Sequence, residues 1–80
     1  MVGIRLKNAR KAARQRLKDA TLAEYNELIL AANLTPIQSK ILDMHIQQES
    51  SISKIAIELF CSDSTVRKHL ARAYDKVSKA

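Results

Sequence analysis

Between Ser62 and Lys76 the chain carries hydroxyls, cations and small side chains at helical spacing. Ser64, Arg67, Lys68 and Ala71 share one face, with Asp75 further on, and Val66, Leu70, Ala73, Tyr74 and Val77 share the opposite one. The first set has the chemistry of base-edge recognition. An arginine offers two donors to guanine, a serine hydroxyl donates or accepts, and an alanine methyl can meet the methyl of thymine. Arg67 and Lys68 are the preferred base-reading candidates. Thr65, Arg72 and Lys76 fit phosphate oxygens instead, contacts that position a protein without reading sequence.

A second group of cations lies at the start of the chain. Residues 1–18 hold Arg5, Lys7, Arg10, Lys11, Arg14, Arg16 and Lys18 and no acid. Lys7, Lys11, Arg14 and Lys18 align on one helix face, and Leu6, Ala9, Ala13, Leu17 and Ala20 form a narrow apolar seam beside them. Uncompensated cations this dense repel one another unless a polyanion neutralises them, so the row is expected to hold phosphates. A membrane surface is the weaker partner, because the seam is mostly alanine and contains no Trp or Phe to bury in lipid.

Other chemistries find little support. His45 and His69 fall on separate helices, and with a single cysteine there is no cluster at metal-ligand spacing. Cys61 reads as a small buried hydrophobe in a turn and cannot form an intrachain disulfide, which fits a reducing cytoplasm. No Ser, His and acid grouping and no glycine-rich phosphate loop is present. We expect neither enzymatic activity nor a cofactor.

The elements that must position these residues are helical. One glycine and one proline in 80 residues leave few breakers for short strands, and the composition favours helix. The expectation is an all-α bundle of about five helices. Residues 1–33 would supply the basic helix and a supporting one, and residues 34–80 the nucleic-acid-binding unit, in one compact domain. Thr21 with Glu24 has capping-box spacing and opens a second helix whose apolar face is Leu22, Tyr25, Leu28, Ile29 and Ala32, stopped by Asn33. Thr35, Pro36 and Gln38 open a third, running to about Gln47, with Ile37, Ile41, Leu42, Met44 and His45 inward. Ser51 caps a short fourth helix bearing Ile52, Ile55, Ala56 and Leu59, and Ser62 caps the last. No apolar run approaches the roughly 18 residues of a membrane span.

Residues 52–71 follow the helix-turn-helix pattern. Ile55 and Leu59 are the inward residues of the first helix, Ala56 is the small residue at the helix crossing, and Val66 and Leu70 pack back from the second. The stretch from Leu34 to Val77 resembles the DNA-binding domain of LuxR-type response regulators and region 4 of bacterial sigma-70-like factors. The resemblance rests on Leu34-Thr35-Pro36, Ile41-Leu42, Ile55-Ala56, Leu59 and the run from Ser62 to Leu70. It implies that the segment ending in Thr65-Val66-Arg67-Lys68-His69-Leu70 enters the major groove. Phe60 stands where many such motifs have glycine, and the chain reaches Ala80 without the further helix of LuxR-type domains, so its end is more similar to sigma region 4.

The expected function is therefore sequence-specific binding of double-stranded DNA by a small bacterial, plasmid or phage transcriptional regulator. The alternatives are an adaptor that engages RNA polymerase or another protein, and a nucleic-acid packaging component in which the basic N-terminal helix dominates. Truncating residues 1–18 is expected to separate these: a specific reader keeps its sequence preference at lower affinity, a packaging protein loses most binding. The alanine-leucine seam can dock on its own domain or pair with a second chain as a homodimer.

Overall fold

The computed structural model describes residues 2–80, with side chains from Ala9 onward. Five helices follow one another: α1 (Val2–Asp19), α2 (Leu22–Ala32), α3 (Pro36–Ile46), α4 (Ile52–Glu58) and α5 (Asp63–Lys79). Each of α2 to α5 starts at a hydroxyl cap. The side chains of Thr21, Thr35, Ser51 and Ser62 accept the backbone N–H of Glu24, Gln38, Lys54 and Thr65, satisfying a donor that the helix itself cannot. Glu24 and Gln38 complete capping boxes by accepting the N–H of Thr21 and Thr35. Asn33 closes α2 in the left-handed region at φ 53°.

Helix α5 is the centre of the bundle and packs against all four others. Its inward residues Val66, Leu70, Ala73, Tyr74 and Val77 are all buried, as their spacing predicts. They meet Ala13 and Leu17 of α1, Tyr25 and Ala32 of α2, Ile41, Leu42, Met44 and Ile46 of α3, and Ile55 and Ala56 of α4 in one core. Ala13 and Leu17 of the alanine-leucine seam thus dock on the domain itself, and the side chain of Leu6 lies outside the described residues.

Two expected core residues lie outside it. Leu22 is 68% exposed and Ile37 is 41% exposed. Leu22 is the first residue of α2, a helix held to the core through Tyr25 and Ala32, farther along. In the first turn of α3 the inward position belongs to Gln38 instead of Ile37. Its Oε1 accepts both the N–H of Thr35 and the ammonium of Lys76, at 3.2 and 2.8 Å. A buried amide with partners costs little, so Gln38 takes the place that hydropathy assigned to Ile37.

The turn between α4 and α5 is a Schellman motif. The N–H of Cys61 donates to the carbonyl of Ala56 at 3.0 Å and that of Phe60 to the carbonyl of Ile57 at 3.3 Å. The left-handed position is occupied by Phe60, at φ 56°, and its side chain is 96% exposed. Cys61, the residue after it, is half-buried against the core, where the motif brings it back toward Ala56. A non-glycine residue in this region costs about 1–2 kcal/mol, and the exposed ring recovers little of it by packing. Phe60→Gly is therefore expected to stabilise the fold by about 0.5–1 kcal/mol after the entropy cost of glycine in the unfolded chain. Urea denaturation measures this, and Phe60→Ala, which keeps the Cβ, should show no comparable gain.

Candidate nucleic-acid interface

The start of α5 is held from three sides. Ser62 caps it, the Ser62 and Thr65 hydroxyls lie 2.9 Å apart, and Ser53 in the first turn of α4 donates to Asp63 Oδ2 at 3.1 Å. The Asp63 carboxylate also sits at the positive end of the helix dipole. These contacts lock the two helices of the motif at their near ends, while Ala56, 3% exposed, allows close approach at the crossing. The Ser53 contact was not legible in the sequence.

From this mount Ser64, Arg67, Lys68 and Arg72 project into solvent, and Ala71 is half-buried among them. Arg67 and Lys68 make no hydrogen bond or ion pair among the described residues, so their donors are available to a ligand. Thr65 is half-buried and bonded to its cap. Lys76 is half-buried as well, and its ammonium ties the end of α5 to Gln38 on α3 instead of standing free for a phosphate. His69 is half-buried, and its Nδ1 has no partner among the described residues.

Helix α1 lies along α5. The Arg10 guanidinium donates to both oxygens of Asp75, at 2.7 and 3.0 Å, although 65 residues separate the two. This bidentate bond raises the pKa of Arg10 above its ordinary value. Asp75 belongs to the outward face of α5, two turns or about 10 Å past Lys68. Farther on, Arg16 and Ala20 share a cleft with Ala80, so the two helices run in the same sense. Lys11, Arg14 and Lys18 are exposed on α1 beside this contact. The side chain of Lys7 lies outside the described residues.

Buried hydroxyls join the remaining helices. Tyr25 on α2 donates to Asp43 on α3, and burial together with that carboxylate drives the phenol pKa strongly upward. His45 Nδ1 lies 2.7 Å from the Tyr74 hydroxyl, with the rings edge to face. Burial pushes Tyr74 up to about 12. His45 is held below the ordinary 6.5, first by burial and then by the positive charges of Arg14 and Lys18. The unfolded imidazole therefore takes a proton before the folded one does. Stability is fully present above about pH 6.5 and is lost as pH falls through the folded value. Thermal denaturation between about pH 7 and 5 should show this loss in the wild type and a smaller one in His45→Gln.

The arrangement is a capped helix presenting free polar side chains from a helix-turn-helix. Comparison with protein families matches residues 30–77 to "Sigma-70, region 4". The chain belongs to the sigma-70 region 4 family. This family is a helix-turn-helix one with a DNA-binding, transcription-related role. The match runs from the end of α2 through α5, and α1 and most of α2 lie outside the matched residues. No curated protein and no solved structure matches the chain. Among the described residues no helix is long and apolar enough to cross a membrane.

Proposed function

We propose that this sigma-70 region 4 chain is a sequence-specific double-stranded DNA-binding protein, a small cytoplasmic transcriptional regulator of bacterial, plasmid or phage type. One observation carries the reading: Ser64, Arg67 and Lys68 stand exposed, and unbonded among the described residues, on the first half of a helix whose start is capped and braced by α4. In this proposal α5 enters the major groove. Ser64, Arg67, Lys68 and Ala71 meet base edges, and Thr65 and Arg72 meet phosphates. Residues 1–33 and 34–80 act as one compact domain, with Lys11, Arg14 and Lys18 of α1 on the backbone of the same duplex. The LuxR-like run from Ser62 to Leu70 supports the same placement of the helix.

Selection of bound sequences from a random duplex pool tests the reading. Enrichment of a defined site is expected, and equal affinity for all duplexes would sink it. If the α1 row holds phosphates, replacing Lys11, Arg14 and Lys18 with Gln removes about three contacts. The slope of log affinity against log salt then falls by about 2–3 with sequence preference intact.

An adaptor that engages RNA polymerase is favoured by a different observation. Leu30 and Leu22 are 81% and 68% exposed on α2. Co-purification with polymerase, lost on Leu30→Glu, together with no duplex binding at low salt, would replace the regulator reading with this one.

A further inference from the structure

The chain holds 14 Lys and Arg residues, yet none falls between Asp19 and Ser39. Helices α1 and α2 both pack on α5 and leave a cleft of about 580 Å³ between them at its end, within the range of roughly 300–1,000 Å³ that holds a ligand. Ala20, Leu28 and Ala31 are its apolar lining, and its rim sets Asp19, Glu24 and Glu27 against Arg16. These acids have no cation partner among the described residues. Asp19 accepts from the Gln15 amide, Glu24 from the N–H of Thr21, and Glu27 from no described group. Leu30, one turn beyond Glu27 and 81% exposed, continues the apolar surface over the crest of α2. The cleft and the basic row stand on opposite flanks of α1. At about 100° per residue, Arg16, Asp19 and Ala20 lie roughly 90° to one side of the buried Ala13–Leu17 stripe, and Lys11, Arg14 and Lys18 roughly 110° to the other. A polyanion on the row leaves the cleft open, and the acids of the rim repel phosphates.

We propose that the cleft between α1, α2 and the end of α5 docks an amphipathic helix of another protein, one with leucine-like side chains on one face flanked by lysine or arginine. The inference adds a protein partner to the DNA-binding reading and does not depend on it. In this helix-in-groove mode the apolar side chains of the partner enter over Leu28 and Ala31, where a small residue lets a backbone come close. Its flanking cations meet Asp19, Glu24 and Glu27 at the rim. Such charges select the sign and the orientation of the partner more than they add affinity. A second copy of this chain is the poorer occupant. Its α1 offers cations, but Ala13 and Leu17 are buried in its own core, and the exposed described residues of α1 include no apolar side chain larger than that of Ala12. The basic row of α1 stays uncovered when the cleft is filled.

The test uses a synthetic peptide of roughly 18 residues, five turns of helix with leucine on one face and lysine on the others, added to the full chain at low salt and followed by backbone NMR. A peptide with glutamate in place of lysine is its counterpart. Signals of Asp19, Glu27, Leu28 and Ala31 are expected to shift while those of Lys11, Arg14 and Lys18 stay in place, and the glutamate peptide should bind about tenfold more weakly or less. Glu27→Lys turns an attraction into a repulsion and should weaken the lysine peptide about 5- to 10-fold. Ala31→Lys places a cation in the cleft from an exposed position in the last turn of α2, where the helix tolerates one, and should weaken it as much. Glu58→Lys makes the same change of net charge on α4 and should leave affinity within about twofold. Circular dichroism establishes that each variant folds. Equal loss in Glu58→Lys and Glu27→Lys overturns the site in favour of a general attraction, and so do shifts spread over the whole surface. Equal binding of the two peptides, or no binding at millimolar peptide, overturns the proposal outright. Shifts of the cleft residues that grow with protein concentration in the absence of peptide, with a dimer in sedimentation, would give the cleft to a second copy and overturn the partner helix. Duplex binding enters none of these outcomes, so the DNA reading stands or falls separately.

Discussion

Leu17→Ala is expected to lower the unfolding free energy by about 2–5 kcal/mol, the largest stability effect among the described side chains of α1. Leu17 is 1% exposed and lies in the core that α5 organises, so truncation leaves a cavity that the packed helices cannot fully close. A domain of this size holds a net stability of only about 5–10 kcal/mol, so the variant is close to the limit of folding. Its melting temperature should fall by roughly 10–40 °C. Lys18→Ala, at the next residue, removes an exposed side chain and should stay within about 0.5 kcal/mol of the wild type. Circular dichroism melts of the two variants check the contrast, and equal melts would mean that α1 does not dock. The same burial changes the meaning of a truncation. Removing residues 1–18 strips Ala13 and Leu17 from the core, so it tests folding before it tests contact with nucleic acid. Charge-neutral substitutions along α1 are the better probe of its role.

Arg67→Ala and Lys68→Ala are expected to act in the opposite way, with melts unchanged and sequence preference lost. Both side chains are exposed and unbonded among the described residues, so their removal leaves no cavity and no orphaned partner. On the proposed reading each base contact is worth about 1–3 kcal/mol, or roughly 5- to 150-fold on the preferred duplex. Affinity for unrelated duplexes should drop far less, by the share of one cation in a sequence-independent attraction. Fluorescence anisotropy with a selected duplex and a scrambled one measures both. A uniform loss across the two would reassign these residues to phosphates and move base reading elsewhere on α5.

Much of this architecture was written in local pattern. The four caps, the end of α2 at Asn33, the start of α5 at Asp63 and the five inward residues of α5 all follow from side chains three or four positions apart, a spacing that the helix itself turns into contact. The departures came where a local pattern had two outcomes. Ile37 and Gln38 compete for one inward position, and apolarity favours the isoleucine. The choice went to the glutamine because Lys76, 38 residues away, supplies its partner. Asp75 read as one more outward charge on α5 until Arg10 arrived from the other end of the chain.

The sequence by itself determined the helices, their caps and the helix-turn-helix, because each depends on neighbours within a turn or two. It also marked the two sets of cations, on α5 and on α1, as separate features. Only the tertiary structure decided how these sets relate. Arg10 grips Asp75, Leu17 and Ala13 enter the core, and α1 lies along α5. The physical reason is that periodicity assigns a residue to a face but does not say which distant face it will meet. That depends on how five apolar stripes share one core and on which polar groups find partners as they do.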